Sequence, residues 1–385
     1  MSWERKNAVV TELPPAPSLY RWLCTGVLAF IVGALLFVLH ASGKINVLSA
    51  INIWAVSFLP IIAWLLIFFV RCYLRLRKVK QHLFLQKEAQ YSQQQWTQWA
   101  ERYVAILASA VMLPDHFSAR DFGTERVQQY GLSRRLISPV GKKRDDISTL
   151  RLLIGAVENE LRDVSAKLPL QITIVSDCPC DRLTDHFFTV WHEYLTQPIT
   201  LENLRITASL SFSAVEERLK KTELAAELIL VLQLSGEENY SDGLAALLLA
   251  SDDVVRNCGM PYPARLLRPM QLDITRFDTE LNVFLQTQTT ACRTKKIIGD
   301  AKSWSDYFAA LITGGNTLGA TWKPEENELL EKWCGKPGPF SPWLLTALAA
   351  DWVKLNNYPV LALFSHEQDY FISSLTPGSG DEDTR

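Results

Sequence analysis

The sequence predicts a two-helix transmembrane hairpin followed by a cytoplasmic α/β domain with a largely parallel, helix-covered sheet. Three observations predict it. No charged side chain occurs from Trp22 to Gly43, and none from Ile45 to Val70. Arg71, Arg75, Arg77, Lys78 and Lys80 follow the second run without an intervening acid. From Leu170 onward, short apolar runs of strand character alternate with helical patterns, the arrangement of strands joined by crossover helices.

At 385 residues the chain is long enough to bury a sizeable core. Its 39 basic and 41 acidic residues leave a net charge of −2, which argues against nucleic acid as a partner, because phosphate neutralisation needs a basic surplus. With 48% hydrophobic and 21% charged residues, the composition is too apolar for a wholly soluble chain and too polar for a transporter.

Residues 1–21 form a cytoplasmic tail carrying Arg5, Lys6 and Arg21, and residues 22–70 form the hairpin. At 1.5 Å per residue the first run crosses the roughly 30 Å of a hydrocarbon core. A cleavable signal peptide is the competing account, but its apolar region is usually about 7–15 residues and here a second run follows directly. Pro60 should kink the second span. Gly26, Ala29 and Gly33 give the first span a small-residue face, which serves either packing within the hairpin or a homo-oligomeric contact. Lys44 alone lies in the turn, so the basic cluster after the second span sets both the tail and the large domain on the cytoplasmic side. The same cluster suits an anionic lipid surface.

Residues 71–113 read as one juxtamembrane amphipathic helix, because no Gly or Pro occurs from Leu74 to Leu113 and Trp96, Trp99, Tyr103 and Leu107 recur at helical spacing. Pro114 ends it, and a charged, turn-rich stretch runs to Asp146. A helix is expected from Ile147 to Ala166, then strand Leu170–Val175, helix Asp185–Leu195, strand Leu204–Phe212 and helix Ala214–Leu224. Ala226–Leu234 and Leu244–Ala250 are the most apolar runs and make the central strands. Further helices are expected near Asp278–Leu285, Ser303–Thr313, Pro324–Trp333 and Pro342–Leu355, with a strand pair at Val360–Ser365 and Tyr370–Ser374. The α/β domain spans 114–375, with lobes near 168–260 and 261–375; residues 376–385 are a disordered tail, and no repeat of fixed period is visible.

No motif names a reaction. Cys178, Cys180, His186 and His192 lie close in sequence, but neither Cys-x-Cys nor the histidine spacing matches a common zinc pattern, so no metal is expected. Cys24 and Cys72 belong to the membrane region or its edge, and the five cytoplasmic cysteines need not pair. A Gly-x-Ser-x-Gly elbow is absent, and after His192 only His366 remains to serve a nucleophile. The glycine-rich Thr313–Gly319 run lacks the Lys-Ser/Thr of a phosphate loop, so no nucleotide or other cofactor is expected. Asp252-Asp253 and Glu325-Glu326 complement helix dipoles at expected helix starts.

Two resemblances stand beside these readings. Tyr240-Ser-Asp-Gly-Leu-Ala-Ala-Leu-Leu-Leu-Ala-Ser251, Gly299-Asp300 before a helix, and the late strand Pro359-Val-Leu-Ala-Leu-Phe364 resemble the glycine-led strands of the thiolase and ketoacyl-synthase fold over residues 168–375. That fold's catalysts use a Cys with two His, or with His and Asn. Cys292 and His366 do not supply the set, so the resemblance implies a degenerate, non-catalytic version. The order of the whole chain, a hairpin, the Trp96-Thr-Gln-Trp-Ala100 segment before Leu113-Pro114, and an enzyme-like domain, is similar to membrane-anchored accessory and adaptor proteins of bacterial type VI secretion effector clusters. It implies a bacterial inner-membrane adaptor, not an enzyme, docking a secreted effector or a secretion component at the cytoplasmic face. A membrane-tethered acyl-transfer enzyme and an immunity protein are the alternatives. The expected contact surface is the aromatic, proline-rich segment from Trp333 to Trp343, with Trp333, Phe340 and Trp343 as anchors; the other reading of that segment is a loop folded back to cap the core.

Overall fold

Two long apolar helices lead the chain. The computed structural model describes residues 3, 5, 10–42, 52–123, 130–136, 145–178, 182–195, 197, 199–221 and 223–378. Contacts divide it into one unit of Lys6–Gln95 and another that joins Met1–Arg5 to Trp96–Arg385.

In the first unit, α1 (Leu19–Ala41) and the apolar first part of α2 (Ile53–Ala100) are long and apolar enough to cross a membrane, and their apolar windows are barely buried within the protein. The small-residue face of α1 is used within this pair. A Cβ on Gly26 would meet the Trp64 ring at 3.0 Å, and one on Gly33 would meet the Ser57 carbonyl oxygen at 2.5 Å. Trp64 Nε1 donates to Thr25 Oγ1 at 3.1 Å, and Trp22 stands edge-on to Phe68. Pro60 lies inside α2 without ending it. The turn with Lys44 lies outside the described residues.

The helix expected to reach Leu113 stops at Ala100, and β1 (Tyr103–Met112) follows as a strand. Trp96, Trp99, Tyr103 and Leu107 fit a helical stripe, but Tyr103, Ala105 and Leu107 also alternate with Val104 and Ile106. In the fold these two sets enter different apolar clusters. Pairing with strands on both sides then satisfies the backbone of Tyr103–Ile106.

The chain continues through α3 (Asp146–Ala156), α4 (Glu158–Ser165), β2 (Leu170–Ser176), α5 (Leu183–Tyr194), β3 (Leu204–Thr207), α6 (Ala214–Lys220), β4 (Ala226–Gln233), β5 (Gly243–Ser251) and α7 (Asp252–Cys258). The second half comprises β6 (Ala264–Leu267), β7 (Met270–Leu272), α8 (Phe277–Thr287), β8 (Lys296–Gly299), α9 (Phe308–Thr317), β9 (Asn327–Leu329), α10 (Leu330–Cys334), α11 (Ser341–Asn356), β10 (Val360–His366) and β11 (Asp369–Pro377). The long helix expected over 147–166 is broken at Val157, and that expected over 324–333 contains β9. The strand expected to reach Phe212 ends at Thr207. Thr376 and Pro377, expected in the tail, extend β11; residues 379–385 lie outside the described set.

One mixed sheet runs β3-β2-β4-β5-β1-β6-β11-β10-β8-β9, with β7 beside β11. The expectation of a largely parallel sheet is corrected: only β2/β3, β2/β4, β8/β10 and β8/β9 are parallel. β4/β5 and β10/β11 are joined by connections too short for a crossover, which forces them antiparallel. The order reads the same from either end when β1, β2, β3, β4, β5 are matched with β6, β8, β9, β10, β11. An approximate two-fold axis therefore passes through the antiparallel β1/β6 pair.

Three apolar clusters fill the layers. The central one holds α6, α11 and the inward side chains of both half-sheets; α3, α4 and α5 cover the outer face of the first half, and α8 with α9 that of the second. α11 is buried on nearly every side from Ser341 to Val353, which explains a sequence that is apolar all round.

Candidate functional site

The strongest concentration of buried polar chemistry lies where α11 begins. Asp300 directly follows β8 and is fully buried, and both carboxylate oxygens are occupied by donors. Oδ1 accepts from Ser365 Oγ at 2.5 Å and from Trp304 Nε1 at 3.1 Å. Oδ2 accepts from the Ser365 amide at 2.7 Å and from Ser341 Oγ at 3.0 Å. The main chain is fixed as well, since Asp300 N donates to Leu363 O and its carbonyl accepts from Glu331 N.

The electrostatics of this cluster oppose one another. Burial pushes the Asp300 carboxyl up to about 6, while the Ser365 hydroxyl and amide, Ser341 and Trp304 pull in the other direction. Ser341 is the first residue of a 16-residue helix, whose N-terminal dipole also favours negative charge. A carboxylate titrating near neutrality and hydrogen-bonded to a hydroxyl at a helix N-terminus is equipped to take that hydroxyl's proton.

The loop that enters α11 is held by both halves of the sheet. At the end of β4, Gln233 Oε1 accepts from Phe340 N at 3.0 Å and its Nε2 donates to Ser241 O at 2.7 Å. At the end of β10, His366 Nδ1 lies 3.2 Å from Pro339 O. A Cβ on Gly338 would overlap the Gln233 amide, so a larger residue there would have to displace that amide from Phe340 N and Ser241 O.

This arrangement corrects the expected contact surface. Trp333, Phe340 and Trp343 are 4%, 0% and 0% exposed, so none can anchor a partner. Trp333 stacks on Phe117 and its Nε1 donates to Glu328, while Trp343 Nε1 donates to Leu210 O. Three large rings on one proline-rich segment fill the space around α11 because burial stabilises them more than any exposed loop position does. The segment is folded back onto the core.

The other candidate chemistry is dispersed. Cys178 is exposed, His186 Nδ1 lies 3.5 Å from Asp146, and Cys180 falls outside the described residues. Among the described residues no three His, Cys, Asp or Glu side chains gather as metal ligands. Cys292 lies in the turn after α8, where burial pushes its thiol up and so away from the thiolate. His366 instead ends β10. Sequence reasoning quoted Gly299-Asp300 only as a pair before a helix and missed Ser341 and Ser365. The usable signal was a lone acid directly after an apolar strand.

No family model matches the chain and no curated protein matches it. Among solved structures, cerulenin-bound OleA of Xanthomonas campestris is similar at 10% identity, covering 73% of this chain and 98% of that one, with a TM-score of 0.46. A type II polyketide ketosynthase in complex with its acyl-carrier protein is similar at 10% identity, over 72% and 99% of the two chains, with a TM-score of 0.45. ChlB3, named as an acyltransferase, is similar at 12% identity, over 71% and 98%, with a TM-score of 0.44.

Two expectations, the non-catalytic adaptor and the absence of enzyme activity, are corrected and not carried further: the similar structures are a ketosynthase complex, a protein named as an acyltransferase, and OleA. Both expectations rested on the type VI secretion resemblance together with the lack of a Cys–His set, an elimination that did not weigh residues 300, 341 and 365. Nothing in the comparisons carries the type VI secretion resemblance. The domain is an α/β fold built on one mixed sheet.

Proposed function

We propose that this chain is a membrane-tethered enzyme of acyl-transfer chemistry, with α1 and the apolar part of α2 in the bilayer and the α/β domain in the cytoplasm. The observation that carries the chemistry is the 3.0 Å hydrogen bond from Ser341 Oγ to the buried Asp300 carboxylate at the start of α11. In the proposed step Ser341 Oγ attacks an acyl thioester, forming the O–C bond as the C–S bond breaks. The hydroxyl proton passes to Asp300 and then to the departing thiolate. The α11 N-terminus favours the developing negative charge. Ser341 is 2% exposed, so a local opening has to precede substrate entry.

Membrane placement rests on the two helices themselves. A core helix of this apolar content would be covered, whereas these windows are barely buried, and so large an exposed apolar surface is untenable in water. The basic residues from Arg71 to Lys80 support the cytoplasmic assignment of the domain, and a reporter fused after Arg385 should behave as cytoplasmic. Full-length protein in nanodiscs, given a long-chain acyl-coenzyme A, should consume thioester and carry the acyl group on the peptide containing Ser341. Ser341→Ala should abolish both signals. Thioester left intact by correctly folded wild-type protein would overturn the assignment.

A further inference from the structure

The amino end of the chain is built into the α/β unit. Trp3 is 7% exposed and belongs to the apolar cluster on the outer face of the second half-sheet. Its ring meets Trp99 edge-on at 5.2 Å and Phe284 at 5.7 Å between centroids. Arg5 Nη1 then donates to the buried Thr287 Oγ1 at 3.0 Å.

The receiving site is held firmly by groups other than Trp3. Trp99 lies in the last turn of α2, whose terminal carbonyls have no partners within the helix. Arg268, almost fully buried, lays its guanidinium over the Trp99 ring at 4.1 Å and donates from Nε to Trp99 O at 3.0 Å. Gln288 Nε2 donates to Ala100 O at 2.9 Å, and Thr290 Oγ1 donates to Glu101 Oε1 at 2.6 Å. The aromatic site is thus fixed by buried polar side chains, and the peptide with Trp3 and Arg5 is its occupant.

We propose that this peptide is a strap, docking its indole between Trp99 and Phe284 so that the chain leaves the domain after Arg5 and re-enters it at Trp96. Everything between is then a closed excursion with both feet on one side of the membrane. It must cross an even number of times, and proteolytic release of α1 would remove the strap. The proposal rests on the membrane placement above and is independent of the acyl-transfer chemistry.

The test uses the full chain in cells, with a benzophenone amino acid incorporated at position 3. Illumination should link position 3 to the peptide containing Phe284 or Trp99, identified by mass spectrometry. In sealed vesicles of opposite orientation, tags at the two ends of the chain should become protease-sensitive together. Links confined to lipid, tags on opposite sides, or a mature chain lacking Trp3 would each overturn the strap. The expected cross-link in a chain recovered entirely from the soluble fraction would support the strap while refuting the membrane placement. In detergent, Trp3→Ala should lower the unfolding midpoint of the domain by several degrees, and Trp3→Phe should restore most of that shift. An unchanged midpoint for Trp3→Ala would also count against the strap.

Discussion

Asp300 and Asp177 hold equivalent places in the two halves of the sheet. Each directly follows one of a matched pair of strands, β8 or β2, donates its amide to a carbonyl of the neighbouring strand (Leu363 or Leu232), and accepts on Oδ2 the amide two residues further along (Ser365 or Leu234). The surroundings then diverge. Asp177 is partly open and takes the Tyr240 hydroxyl, whereas Asp300 is sealed among Ser341, Ser365 and Trp304.

That divergence sets a pH dependence. Burial lifts the Asp300 and Asp351 carboxyls to about 6, above the roughly 3.9 of an unfolded aspartate. A raised folded-state value means stability that is fully present below the unfolded pKa and is lost as pH rises through the folded one. The domain should therefore resist denaturant better at pH 5 than at pH 7.5. Below about pH 4 the exposed acids held low by their partners, Glu193 and Asp273, act in the opposite sense. Denaturant midpoints that do not change between pH 5 and 7.5 would show that the two buried acids are not titrating as described.

Replacing Asp300 by Asn puts an amide donor where two hydroxyls, an indole and a backbone amide now donate. Asp300→Asn should cost about 1–3 kcal/mol of stability, because buried donors lose their acceptor. Ser365→Ala, which leaves the Ser365 amide bond to Oδ2 in place, should cost less. Equal losses in chemical denaturation would mean that the carboxylate is not the hub of the cluster.

Trp343→Ala should unfold the domain by about 3–5 kcal/mol, the usual cost of emptying a fully buried large aromatic site. Phe340→Ala should fall in the same range. Variants as stable as the wild type would place these rings at the surface.

Gly335 has φ +86, and a Cβ there would run into the Leu132 carbonyl. Gly335→Ala should therefore be several-fold less populated in the folded state, visible as a lower thermal midpoint, through both backbone strain and the clash.

In the apolar pair, Gly33→Leu should separate α1 from α2 at Ser57, whereas Leu28→Ala, at an exposed position, should be tolerated better. Thermal aggregation in detergent distinguishes them, and equal behaviour would remove Gly33 from the packing face.

Much of the fold was legible because strand and helix periods are local properties. β2, β4, β5, β10 and α11 lie close to where alternation and apolar runs put them. β1 was not legible, since its side chains satisfy a helical stripe and a strand alternation equally, and only pairing with β5 and β6 decides. The mixed sheet was hidden for the same reason, as strand direction follows from what pairs with what. The loop at Trp333–Trp343 misled because aromatic content does not say which way a segment folds. Asp300 could be suspected only as an acid after an apolar strand. Its partners lie far along the chain: the register of β8 with β10 brings Ser365 to it, and the start of α11 brings Ser341.

The sheet ends on both sides in its shortest outer strands, β3 with four residues and β9 with three. An open edge invites another chain to add itself, and so short a template gives little for an intruder to pair with. The long strands β1, β4, β5, β10 and β11 are all internal. A fragment cut near Met260 would turn β1 and β6 into fresh edges beside exposed apolar faces, and should aggregate where the whole chain does not.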